Sequence, residues 1–211
     1  MFPILSLPFR LALATVAPMD AIVIAPLTEA DPALLARREA LGLDRFDEVW
    51  DGVLHMVPSP SMEHQRINYA LTVTLGPLAE AAGLVLAFEA NLVPPDEPGW
   101  NDYRVPDLMV FRPEVATERA VEGQPELVIE IRSPGDDSFA KLPFYERIGT
   151  REVLIIDRDT KLVRRWLNGA DGLVEVLADD DGCHTLLTLP ASLRSGSGHL
   201  IIESQGSSTT V

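Results

Sequence analysis

The sequence predicts an α/β fold, with a mixed, twisted sheet flanked by helices. Three observations carry that reading. Start and stop signals bracket a helix over 31–42 and a longer one over 58–82, the second with apolar residues at helical spacing. Short runs rich in apolar and β-branched residues, at 105–111, 126–131 and 153–157, have the length of strands. The segments follow one another as helix, hairpin, long helix, three strands, helix and further strands, an order that favours helices packed on a sheet. At 211 residues and 23.1 kDa, with no repeat of solenoid length, the chain has room for one full core. We assign that domain to 19–194, with an N-terminal extension over 1–18 and a C-terminal tail over 195–211.

Met1 to Pro18 is apolar through Phe2, Ile4, Leu5, Leu7, Leu11, Leu13 and Val16, but Pro3, Pro8 and Arg10 interrupt it. It is too short and broken to span a membrane. Its positive charge sits in the middle rather than ahead of the apolar stretch, unlike a secretory signal. Met19 then leads directly into Asp20-Ala21-Ile22-Val23, an ordinary cytosolic start, so the first eighteen residues are expected to pack poorly.

Asp31 as N-cap, Pro32 at the first helical position and Gly42 as the stop define the first helix. Phe46 to Trp50 and Val53 to Val57 flank Asp51-Gly52, a pair suited to the positive φ of a type I′ hairpin. The long helix starts at Ser59 or Ser61, carries Ile67, Leu71, Leu75 and Leu78 on one face, and is expected to kink at Gly76-Pro77. Glu63 and His64 lie in its first turn. The helix dipole alone favours an acid there, and a capping or surface role accounts for the histidine.

Leu84 to Leu92 reads as the next strand, with Glu89 and Asn91 on one face. Glu89 either faces solvent or approaches Asp107. The loop 94–103 offers Trp100 and Tyr103 as stacking residues. A helix capped by Asp136 or Asp137, kinked by Pro143 and ended by Gly149, follows the Glu130 strand. After it come strands at 153–157, 162–167, 174–177 and 184–187, with Asp179 to Gly182 read as a hairpin turn. The Ser- and Gly-rich residues from 195 onward are expected to fray, apart from Leu200 to Ile202.

Two of these strands carry the chemistry. Asp107 opens the run Val105-Pro106-Asp107-Leu108-Met109-Val110-Phe111, and Glu130 lies near the end of Glu126-Leu127-Val128-Ile129-Glu130-Ile131-Arg132. If the strands pair antiparallel, both acids fall at the same end of the sheet. Lys141 follows within Asp136 to Tyr145. Two converging carboxylates with a lysine over them provide hard oxygen ligands for Mg²⁺ and a cation near developing phosphoryl charge.

The order Pro-Asp, a Glu late in an apolar strand, then Lys resembles the PD-(D/E)xK nuclease superfamily. More closely, Arg104-Val105-Pro106-Asp107, Leu127 to Pro134 and Lys141-Leu142-Pro143-Phe144-Tyr145 look like the Uma-two family of restriction endonucleases. The resemblance implies a restriction-endonuclease-like core and Mg²⁺-dependent cleavage of nucleic acid, DNA first, with Mn²⁺ as a substitute. It implies that Asp107 and Glu130 hold the metal, helped by the Ile131 carbonyl. Lys141 would orient or deprotonate the attacking water and stabilise the transition state, and Glu63 would support a ligand or water. The superfamily carries its lysine two residues after the strand glutamate. Here Arg132 stands there, so Lys141 takes the role from the following helix.

A formal net charge of -15 runs against this, because proteins that grip duplex DNA show a basic footprint. It favours two alternatives, a non-catalytic binding or assembly module on the same fold and a hydrolase of small phosphoesters. The single cysteine, Cys183, forms no internal disulfide, and no Cys/His cluster offers a zinc site. A cytoplasmic location without membrane association is expected, and a homodimer is compatible with the sequence.

Overall fold

A computed structural model describes residues 23–26, 29–95 and 100–211. The expectation for residues 1–18 lies outside these. The chain begins with β1 (Val23–Pro26) and α1 (Pro32–Ala40), where the Asp31 side chain accepts a hydrogen bond from the Ala33 amide at 2.9 Å. β2 (Glu48–Trp50) and β3 (Val53–Met56) form the expected hairpin. Asp51 and Gly52 at its tip have φ of 49° and 82°, as a type I′ turn requires. With β1 they make a three-stranded antiparallel sheet, ordered β1-β3-β2.

α2 (Met62–Ala81) is capped by Ser61, whose Oγ accepts from the His64 amide at 3.2 Å. Helix continues through Pro77. β4 (Val85–Phe88) follows and ends where Glu89 takes a φ of 50°, so the single strand expected over 84–92 is split. Its second part, β5 (Leu92–Val93), leaves the main sheet. β6 (Leu108–Phe111), β7 (Val121–Glu122) and β8 (Leu127–Arg132) come next, β7 pairing in parallel with β5. A 3₁₀ turn over Ser138–Lys141 then leads into α3 (Leu142–Arg147). Pro143 therefore sits in the first turn of a new helix, where its missing N–H costs nothing, and does not kink a continuous one.

β9 (Glu152–Asp157), β10 (Val163–Gly169) and β11 (Gly172–Val176) complete a six-stranded sheet, ordered β11-β10-β9-β8-β6-β4. Only β8 and β9 run parallel, so the sheet is mixed. Alternation assigns its two faces. Leu108, Val110, Leu127, Ile129, Ile131, Leu154 and Ile156 pack with Ile67, Leu71 and Leu75 of α2. Met109, Phe111, Val128, Val153 and Ile155 pack with Phe144 and Tyr145 of α3. Asp107 and Glu130 share the parity of this second set.

The C-terminal tail is not frayed. β12 (Cys183–Thr185), β13 (Ala191–Gly196), β14 (His199–Ser204) and β15 (Ser207–Thr210) form an antiparallel meander. Leu193, Leu200 and Ile202 are fully buried in the same core as α2. The Ser and Gly residues that suggested a loose tail are hairpin tips. Ser197-Gly198 and Gln205-Gly206 all have positive φ, at 51°, 78°, 47° and 79°. Asp179 does organise a turn, accepting from the Asp181 and Cys183 amides, but it joins strands of different sheets and closes no hairpin. The meander is tied to the main sheet by Glu152, which is fully buried. It pairs with Arg165 at 2.6 Å and accepts from the Leu187 and Thr188 amides. Among the described residues no helix is long and apolar enough to cross a membrane.

Candidate active site

The β6–β8 pairing sets Leu108 against Ile129, and one residue further along the register Asp107 comes opposite Glu130. Both acids thus stand at one end of the sheet, as antiparallel pairing demanded. Asp107 Oδ2 accepts from the Ile131 amide at 2.5 Å, and Oδ1 lies 2.9 Å from His64 Nε2. These two donors fix the carboxylate and leave each oxygen a free lone pair. Because the N–H and C=O of one strand residue point to the same side, the Ile131 carbonyl points to the β6 side, where Asp107 stands.

Glu130 is only 2% exposed. Lys141 Nζ lies 3.1 and 3.3 Å from its two oxygens, and the Tyr145 hydroxyl donates to Oε1. A third acid enters from the hairpin. Glu48, also 2% exposed, accepts from Lys141 Nζ at 2.9 Å and the Val105 amide at 2.7 Å through Oε1, and from Trp50 Nε1 at 2.7 Å through Oε2. The sequence reading missed Glu48. An acid alternating with Phe46 and Trp50 along the predicted strand, and so on their face, was the signal available.

Charge in this cluster is unbalanced. Burial pushes the Glu130 carboxyl up to about 8, against the pull of Lys141, and Asp107 and Glu48 add repulsion. Burial alone would lower the Lys141 ammonium, but Glu130, Glu48 and Asp107 outweigh it and hold the proton on more firmly than usual. His64 likewise loses to burial and gains more from Asp107, Glu130 and Glu89, so its imidazolium is favoured.

Glu63 does not join the cluster. Its side chain points to Lys161, at 2.5 Å, and Arg66, at 2.9 Å, and these cations hold its carboxyl below the usual range. On a helix, adjacent residues point about 100° apart, so with His64 turned to Asp107, Glu63 faces elsewhere. Arg132 also turns away, pairing with Asp157 at 3.1 Å, while Lys141 makes the contacts with Glu130 and Glu48. Glu89 lines the cavity, but Arg45 at 3.0 Å and Gln65 at 2.8 Å engage its carboxylate. Trp100 and Tyr103 touch each other away from the cavity, and Tyr103 packs against Val49, Leu54 and Met56.

Asp107, Glu130, Ile131, Lys141, Glu48 and His64 line one cavity of about 640 Å³. Among the described residues no group of three or more His, Cys, Asp or Glu side chains is disposed to hold a metal ion. Mg²⁺ does not need one. It binds through one or two carboxylates while keeping several waters, and two carboxylates with one backbone carbonyl are hard oxygen donors of that kind. The donor set therefore fits Mg²⁺.

No curated protein matches the chain. Among solved structures it is similar to one described as a putative nuclease belonging to DUF820, from Anabaena variabilis. The identity is 20%, the TM-score 0.54, and the match covers 66% of this chain and 80% of the other. That likeness shows a shared fold. The family model for Uma2, described as "Putative restriction endonuclease", matches residues 42–194, from just ahead of the Glu48 hairpin through the Asp107, Glu130 and Lys141 elements. With the acids and the lysine standing in that order at one sheet end, the chain belongs to the Uma2 family.

Proposed function

We propose that the protein hydrolyses phosphodiester bonds in nucleic acid, DNA in the first instance, using Mg²⁺ or, in its place, Mn²⁺. The observation that carries this reading is the convergence of Asp107, Glu130 and Lys141 on one cavity at the end of β6 and β8. Asp107, Glu130 and the Ile131 carbonyl would hold the cation, which when bound polarises a phosphoryl oxygen and acidifies a water. His64 and the Ile131 amide keep the Asp107 carboxylate in one orientation. Lys141, donating to Glu130 and Glu48, stands where it would orient the water and stabilise negative charge.

The net charge of -15 favours a second reading, hydrolysis of a small phosphoester, for which no basic footprint is needed. Mg²⁺ titration by calorimetry on the wild type and Asp107→Ala, beside cleavage assays on DNA and on a small phosphodiester, tests both. Binding lost in Asp107→Ala with DNA cleavage by the wild type supports the nuclease. Turnover of the small ester alone would support the second reading, and no metal binding with no cleavage would leave a binding module.

A further inference from the structure

The cavity has a second wall, which the carboxylate chemistry does not use. Phe46, Glu48 and Trp50 alternate along the first arm of the hairpin and so share one of its faces. His55 stands opposite Glu48 in the β2–β3 register and joins that face. All four line the cavity, whereas Val49, Leu54 and Met56 on the other face form a small core of their own. The His55 ring lies nearly parallel to Trp50, with centroids 4.0 Å apart and planes 18° apart. Trp50 is fixed by its bond to Glu48 and by the Arg104 guanidinium, 4.6 Å from its ring centroid. Since Glu48 also touches Lys141, the aromatic wall and the charged cluster are one side chain apart.

One quantity limits what this site accepts. The chain's net charge of -15 leaves little to gain from the counterion release that drives binding to duplex backbone. Stacking of bases on aromatic rings needs neither a basic surface nor a paired strand.

We propose that the aromatic face of the hairpin, with half-buried Phe46 and Trp50 as its reachable rings and buried His55 backing Trp50, is a base-stacking wall and that the site takes unpaired nucleotides, in a single strand or extruded from a duplex. The proposal rests on the phosphodiesterase reading for the reacting groups, but its binding claim is tested apart from cleavage. With the full chain in EDTA, fluorescence anisotropy would compare a labelled single-stranded oligonucleotide, its duplex, and the same strand made of abasic units. The single strand is expected to bind about tenfold tighter than the duplex. Removing the bases should weaken it by about tenfold or more, as loss of a stacked base does.

Phe46→Ala is expected to give a similar loss at unchanged melting temperature. Should that variant fail to fold, the abasic strand still reads the same interaction from the ligand side. Equal or tighter binding of duplex, indifference to the bases, or no binding of the single strand would each overturn the proposal. Cleavage is then scored separately in Mg²⁺ and Mn²⁺. Base-dependent binding without cleavage keeps the wall and removes the hydrolase, and cleavage with no preference for unpaired strand does the reverse.

Discussion

Lys141, in the turn that enters α3, donates to Glu48 on the N-terminal hairpin at 2.9 Å, joining residues 93 positions apart. The same ammonium reaches Glu130 at 3.1 Å, so one cation is held between two buried acids from different sheets. Glu48 thereby sets where the positive charge stands. Glu48→Ala leaves Lys141 held by Glu130 alone, removes the Trp50 indole's partner, and orphans the buried Val105 amide at a cost of about 1–3 kcal/mol. We expect a fall in melting temperature and in cleavage rate, with Glu48→Gln losing less stability than Glu48→Ala. Wild-type rate and stability in Glu48→Ala would show that the contact is incidental.

Lys141→Ala should lower cleavage by about a hundredfold or more, the scale of losing one transition-state electrostatic contact. Mg²⁺ affinity should change less than the cleavage rate, since Lys141 touches the proposed ligand Glu130 without being a ligand itself. Arg132→Ala should cost far less, since Arg132 faces Asp157 and the Phe139 ring. Single-turnover assays on the two variants decide the matter, and the reverse ranking would return the active cation to the strand.

His64→Ala removes one of the two donors that fix Asp107. Partners that orient a ligand typically change metal affinity by about 10- to 100-fold, and calorimetry should find a loss in that range. Glu63→Ala, whose carboxylate points to Lys161, should leave the affinity unchanged. A larger effect from Glu63 than from His64 would restore the role that the family resemblance implied for it.

Asp102 offers a pH test away from the reacting groups. Burial raises its carboxyl, but bonds from Arg104, the Asp51 amide and Arg147 outweigh this and hold it below the ordinary value. The folded value is thus lower than the unfolded value of about 3.9. Its stabilisation is fully present above that unfolded value and is lost as pH falls through the folded one. Melting temperatures of Asp102→Asn should lie below wild type at neutral pH, and the gap should close below about pH 4. A constant gap down to pH 2 would contradict this.

Deleting 1–18 is expected to leave the melting temperature nearly unchanged, whereas ending the chain at Arg194 should abolish cooperative unfolding. The latter cut removes Leu200 and Ile202, both fully buried, each worth about 1.5–3 kcal/mol of apolar burial. Calorimetric scans of the two truncations separate them.

What the sequence made legible follows from local signals. Asp31-Pro32, Asp51-Gly52 and Ser61 act through their own backbone neighbours, so their elements appear where expected. Asp107 and Glu130 were readable because one strand pairing suffices to bring them together. Glu48 was not, since its partner is fixed only when the hairpin sheet closes over the main one. The tail was misjudged for a related reason. Ser-Gly and Gln-Gly suit loose chain and tight hairpin tips alike, and only the burial of Leu200 and Ile202 between them decides which.

That meander also bears on the order of events during synthesis. Leu200 and Ile202 complete the core beneath α2, and Thr74 of that helix bonds Thr209 at 3.3 Å across 135 positions. A chain emerging N-terminus first exposes α2, with His64 at its start, long before its covering strands exist. The helix that sets His64 beside Asp107 therefore gains its full packing only after β14 has been made.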